Sequence, residues 1–376
     1  MTARLPRTLH PGAWWLWALG LATAASRTWN PLVLALVLVV AGFVVVSRRE
    51  DAPWSRSYVV FLRLGLVVIA IRVVAHALFA PATPGYVLVT LPHATLPDWL
   101  AGVRLGGPVT AQTVAAAAYD GLRLATMLAC LGAANALANP KRLLKAMPGA
   151  LYESGVAVVV AMSVTPQLVS SVGRIREARR LRGRPHKGLR GLRGLAMPVL
   201  QSALDRAVSL AAAMDSRGYG RSAHRSRRLR VVTGALTLGG LVGLCLGLYG
   251  VLDPTRSLTG GAPVLGVGAF AATVGLVLGG RRVPRTRYRP DPWQWPEWAV
   301  AATGLLAATV LWTASRNDPA LAPTVMPWVW PTLPLGPTAA VLVALLPAWL
   351  APPLPAQRQA PGAGAGSSRE HVRAAA

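Results

Sequence analysis

Two Arg-Gly pairs, Arg182-Gly183 and Arg217-Gly218, stand 35 residues apart, and each closes a stretch with helical periodicity. Val169, Val172, Ile175 and Ala178 lead to the first pair. Leu200, Ala203, Leu204, Ala207, Val208, Ala211 and Met214 lead to the second, at spacings of three and four that put them on one helix face. A guanidinium is always charged and forms bidentate bonds to carboxylates. Two helices that each expose one at their tip therefore suit a partner with acidic grooves. The same residues have a simpler role: Arg complements the dipole at a helix C-terminus, and Gly adopts the positive φ that ends the helix. Spacing alone does not choose between these readings. Glu177 and Asp215 sit beside the two pairs, either orienting the guanidinium groups or simply solvated.

A second polar set lies inside apolar runs: Arg72, Asp120 and Arg123. Charges at membrane depth are costly and mark sites or packing devices. The expectation is that Arg72 pairs with Asp120 across two helices, beside Arg123. No catalytic constellation accompanies them. The six histidines have no metal-ligand spacing, and none of Lys141, Lys145 and Lys187 lies in a G-x-x-x-x-G-K-[ST] loop. No catalytic residue, metal site or cofactor is expected. Cys130 and Cys245 each lie in an apolar run and read as packing residues.

The elements that must position these groups are membrane helices. The 376 residues are 53% hydrophobic and 14% charged, with 39 Lys+Arg against 13 Asp+Glu, a net charge of +26. Soluble nucleic-acid binders are basic but polar throughout, so this balance points to a polytopic membrane protein with basic cytoplasmic segments. Candidate spans are 12–26, which is short, and 30–47, 57–80, 109–138, 231–252, 262–280, 297–315 and 335–352. Ala22-Thr23-Ala24 in the first also resembles a signal-peptidase site. Basic residues concentrate in alternate connections, which places both termini in the cytoplasm. Segment 151–172 is apolar, yet basic clusters flank it on both sides, so it is expected to pack at or under the cytoplasmic face without crossing. A long helix is expected over 195–217, with Pro198 in its first turn.

The fold expected is an all-α polytopic membrane protein of about eight spans, with two long cytoplasmic helices between spans four and five. Its parts are a four-span region (1–138), a cytoplasmic helical region (139–230), a fifth span (231–252), an extension with three spans (253–352) and a disordered tail (353–376). Residues 173–230 carry 16 of the 39 basic residues, on one cytoplasmic surface.

EARRLRG (177–183) followed by AAAMDSRGYG (211–220) resembles the paired coupling motifs of the transmembrane T component of energy-coupling factor (ECF) transporters, the EcfT/CbiQ-type family. That family carries Ala-Arg-Gly in both helices. Here Leu181 and Ser216 replace the alanines, while Arg and Gly match in both and Tyr219 matches the residue after the second. Gly107-Pro108-Val109-Thr110, Gly121-Leu122-Arg123-Leu124 and Asn139-Pro140 are similar to the family's lead-in. The resemblance spans roughly residues 10–252 and implies a non-catalytic scaffold in the plasma membrane. Its partners would be two ABC-type ATPase subunits, a small membrane S component that captures a vitamin or metal ion, and the lipid bilayer. By carry-over Arg182 and Arg217 dock in the ATPases, Gly183 and Gly218 let each helix end there, and Glu177, Ala178, Asp215 and Tyr219 support the motif.

Two other classes remain open on the sequence. A permease of a conventional ABC importer would carry one Glu-Ala-Ala-type coupling loop. A membrane-anchored lipid- or nucleic-acid-binding protein would use 173–230 as a polybasic patch. Long apolar stretches interrupt the basic residues there, so no nucleic-acid partner is expected.

Overall fold

The computed structural model describes residues 7–49, 57–79, 85–95, 104–146, 152–183, 189–218, 227–252, 258–280, 291–324 and 329–353. Its elements are α1 (Pro11–Ser26), α2 (Pro31–Arg48), α3 (Ser57–Phe79), β1 (Val87–Thr95), β2 (Arg104–Thr110), α4 (Ala111–Leu137) and α5 (Pro140–Lys145). There follow α6 (Tyr152–Leu181), α7 (Leu189–Ser216), α8 (Arg227–Leu252), α9 (Leu258–Gly280), α10 (Trp295–Ala314), α11 (Leu335–Val343) and α12 (Pro347–Leu350). The chain is an all-α polytopic membrane protein, with one short hairpin among the described residues. Seven of the described helices have the length and apolarity to cross a bilayer: α2, α3, α4, α6, α8, α9 and α10.

Local chemistry explains where several helices begin. Pro11 and Pro31 occupy first-turn positions, where no backbone N–H is needed. His10 Nδ1 accepts from Gly12 N at 3.1 Å, and Asn30 Oδ1 accepts from Leu32 N at 3.0 Å. At α10 the Glu297 carboxylate accepts from Gln294 N at 3.1 Å and closes a capping box.

Two compact units form. The first combines 1–143 with 291–376. Its core is α1, with Ala13, Trp17, Ala18 and Leu21 fully buried against α4 and α10. Gly20 and Gly304 let the backbones of α1 and α10 nearly touch: a Cβ on Gly304 would stand 2.5 Å from Trp17 Cα. Within lipid, such small-residue approaches replace the hydrophobic drive as the source of helix association. Glu297 is wholly buried and pairs with Arg7 at 3.0 Å, which ties the segment before α1 to the first turn of α10. Trp17 Nε1 donates to Ala344 O at 3.2 Å, and the Asn30 side chain donates to Ala320 O and Thr332 O at 2.8 and 2.7 Å. The second unit, 144–290, contains two helical pairs, α6 with α7 and α8 with α9. Glycines close the second pair: a Cβ on Gly268 would meet Leu244 N at 2.5 Å.

Several expectations need correction. The loop expected over 81–108 contains an antiparallel hairpin, β1 with β2, with registers Thr90 opposite Pro108 and Leu91 opposite Gly107. The β-branched run at Val87, Val89 and Thr90 favours extended backbone. The run 335–352 is not one span but the two short helices α11 and α12. The first apolar segment forms a helix of 16 residues, short for a crossing, and Ala22 and Ala24 of the cleavage-like triplet are buried in the unit's interior. The helix expected from 195 begins at Leu189, so Pro198 lies inside it rather than in its first turn. Segment 155–181 has the length and apolarity of a span, as its composition already implied, and its basic flanks still favour packing at the cytoplasmic face. Residues 253–352 divide: α9 pairs with α8, whereas α10 to α12 join the N-terminal helices. Tyr219, the 281–289 arginines and the tail from 354 lie outside the described residues.

Two measurements probe this packing. Gly304→Ala forces α1 and α10 apart and should lower detergent stability by about 1–3 kcal/mol. Gly336→Ala meets nothing within 4 Å and should leave the melting midpoint unchanged. His10 is held below the ordinary imidazole value of 6.5, first by burial and then by Arg142, against opposing pulls from Asp291 and Glu297. Its neutral form is the one that caps Gly12. Stability from His10 is therefore complete above pH 6.5 and is lost as pH falls through the lowered folded value. Melts at pH 7.5 and 5.5 should show this loss in the parent and less of it in His10→Asn, which keeps a cap acceptor.

Candidate functional site

Both Arg-Gly pairs form helix ends of the same kind. After α6, Arg182 N donates to Ala178 O at 3.2 Å and Gly183 N to Arg180 O at 3.1 Å. After α7, Arg217 N donates to Met214 O at 3.2 Å and Gly218 N to Asp215 O at 2.9 Å. Gly183 has φ +66° and Gly218 φ +75°, left-handed values that side-chain-bearing residues adopt at a cost. Neither glycine has a neighbour within 4 Å of a hypothetical Cβ, so backbone conformation alone demands Gly there. Arg182 and Arg217 are exposed, as are Glu177, Ala178 and Asp215. Among the described residues, neither Glu177 nor Asp215 forms an ion pair with the tips.

The pairing of α6 with α7 sets where these tips lie. Arg206 Nη1 donates to Gln167 Oε1 at 3.2 Å, and a Cβ on Gly194 would stand 2.5 Å from Arg179 Nη1. As α7 advances from 194 to 206, its neighbour on α6 retreats from 179 to 167, so the helices run antiparallel. Arg182 and Arg217 thus occupy opposite ends of the pair. At 1.5 Å per residue, the length of α7 separates them by roughly 40 Å. That is far beyond the reach of one groove.

The apolar stripe of α7 divides in two. Ala203 and Met214 are half-buried, whereas Leu200, Leu204, Ala207, Val208 and Ala211 are exposed. Val164, Leu168, Ser171 and Ile175 of α6 recur at helical spacing and are its more buried positions. The pair therefore buries one narrow seam and leaves a broad apolar surface open, including Val208 at 69% and Val169 at 68% exposure.

The polar trio is arranged differently from expectation. Arg72 does not pair with Asp120. Asp120 Oδ1 accepts from Trp29 Nε1 at 2.8 Å, and the Arg123 guanidinium lies 4.2 Å from the Trp29 ring centroid and donates to Ser26 O. Arg27 stacks 3.4 Å from the centroid of Trp312. An indole N–H aimed at a carboxylate and an indole face under a guanidinium satisfy both charges without direct contact. Trp29 carries no charge, so matching charges along the sequence passes over it. The set ties α4 to the α1–α2 turn, which is a packing role.

Gly183→Ala and Gly218→Ala should each cost about 1 kcal/mol locally and fray the adjoining turn. Hydrogen exchange at 178–183 and 213–218 should accelerate while the midpoint for the whole chain stays within a degree or so. Gly→Asn at either position should fray less, since Asn tolerates left-handed backbone.

No curated protein matches the chain. A family model described as CbiQ, cobalt transport protein, matches residues 4–227, which takes in α1 to α7 and ends at the first residue of α8. The match covers more than half of the chain and includes both Arg-Gly helix ends, and the chain belongs to the CbiQ family of cobalt transport proteins.

Proposed function

We propose that this chain is the transmembrane scaffold of an ECF-type importer. It passes the closure of two cytoplasmic ATPases to a small membrane S component that carries a vitamin or metal ion across the bilayer. The observation that carries this reading is the placement of two exposed guanidinium groups at opposite ends of one antiparallel helix pair. Each tip would engage one ATPase through partly desolvated bidentate bonds to carboxylates. Tips roughly 40 Å apart on a common lever suit two motor subunits that approach and separate. The open apolar face of α6 and α7 would take the S component or lie along the membrane. Both termini and the coupling helices face the cytoplasm in this reading, on the distribution of Lys and Arg. The family's description makes cobalt the first cargo to test.

A permease would need one coupling loop, and a polybasic binder would use scattered charge; neither explains two matched tips. Co-expression with two P-loop ATPases and capture on a tag at the scaffold tests the proposal. The parent chain should retain both subunits. Arg182→Glu and Arg217→Glu should each lose one, and the double variant both. Retention of both subunits by a folded double variant would sink the assignment.

A further inference from the structure

Arg7, Arg48 and Arg142 line one open recess in the first unit, with Trp14, Asn139 and Pro352 among the residues of its wall. The pocket lies where α2 and α4 end and α1 begins, beside α12. Two of the three cations already have carboxylate partners. Arg7 pairs with Glu297 at 3.0 Å and Arg142 with Asp291 at 2.8 Å. Arg142 also donates to Thr8 Oγ1 and to Leu9 O at 3.1 Å, which with its two donations to Asp291 and one to Thr8 O occupies its donors. Arg48 differs. Its guanidinium donates from Nε to Ala348 O at 2.7 Å, from Nη1 to Pro352 O at 3.2 Å, and from Nη2 to Ala348 O. Every partner is a neutral carbonyl, so among the described residues this half-buried charge has no counter-charge. Arg48 keeps two N–H donors and Arg7 several. A partly desolvated cation without an anion is costly, and an anion entering the pocket would offset that cost.

An apolar surface adjoins the charged one. Phe43 lies five residues before Arg48 on α2, and its ring centroid is 5.8 Å from that of Trp349, next to the carbonyl that Arg48 holds. Both rings are exposed, Phe43 at 46% and Trp349 at 63%. A cationic recess beside exposed rings at the end of a membrane helix matches an amphiphile with a charged head and apolar tail.

We propose that this pocket binds the phosphate of an anionic phospholipid from the leaflet on the side of the chain's N-terminus, with Arg48 and Arg7 donating to it and acyl chains resting on Phe43 and Trp349. The site is independent of the coupling helices, so it stands or falls apart from the scaffold reading. Arg variants here risk unfolding, because each guanidinium also holds the fold. Asn139→Asp avoids that: its carboxylate keeps the acceptor that takes Lys141 N at 3.1 Å, while adding a negative charge to the pocket wall.

The test uses the full chain in detergent, with native mass spectrometry and thermal melts. Phosphatidylglycerol should form adducts and raise the midpoint of the parent, and phosphatidylcholine should do neither. Asn139→Asp should melt at or above the parent's midpoint without lipid, since its carboxylate supplies the missing counter-charge, and should bind phosphatidylglycerol about tenfold more weakly. Equal binding of the two lipids, or of phosphatidylglycerol by parent and variant, overturns the pocket. Equal stabilisation by inorganic phosphate, lost in the same variant, assigns the arginines to a soluble phosphate and overturns the lipid as its source.

Discussion

Backbone-to-backbone approach at glycine is the constraint on which most of this molecule depends. Lipid tails are as apolar as leucine, so helices gain little by merely hiding apolar side chains from them. Close dispersion contact must hold them instead, and that requires a residue without a side chain at the crossing. Gly20 and Gly304 provide it between α1 and α10, Gly65, Gly121 and Gly132 between α3 and α4, and Gly240, Gly243 and Gly268 between α8 and α9. In the α3–α4 pair a Cβ on Gly121 would stand 2.9 Å from Ile69 Cα, which leaves no room for slippage without lost contact.

The α6–α7 pair is built on another principle. Where α6 meets α7, Gly194 faces not a backbone but the mobile end of the Arg179 side chain, and Arg206 reaches Gln167 through two long side chains. Such contacts re-form after a shift of an ångström or two, whereas interlocked backbones do not. The chain thus combines rigid pairs with one adjustable pair, and the two exposed guanidinium groups are on the adjustable one. That division suits the lever proposed above for the scaffold reading. The left-handed glycines keep each end sharply defined, so displacement at a tip is carried by a whole helix rather than absorbed in a frayed turn.

Much of this was legible from residues alone, and the failures have physical causes. Runs such as 30–47 and 57–80 read as helices because apolar length leaves no other way to satisfy backbone groups in lipid. Arg182-Gly183 and Arg217-Gly218 read as helix ends because positive φ is a local property of Gly. Opposite placement of the tips was not legible, since it depends on the sense of packing between helices. Glu297 also escaped notice: nothing near it in sequence announces a partner 290 residues away. The Arg72–Asp120 expectation failed because an indole competed for the carboxylate, and charge matching by sequence sees only other charges. Pro198 misled the start of α7 because a first-turn proline and a tolerated internal one look alike in sequence.

The tie between Arg7 and Glu297 has a consequence for biosynthesis. The groove of α1 is filled by α10, which begins about 270 residues further along the chain. At about 5–20 residues per second, that interval is roughly 15–60 s. Throughout it the small-residue face of α1 stays open to lipid, to the insertion machinery or to a wrong neighbour. The nascent chain must therefore hold an unfinished bundle in waiting until α10 closes it around α1.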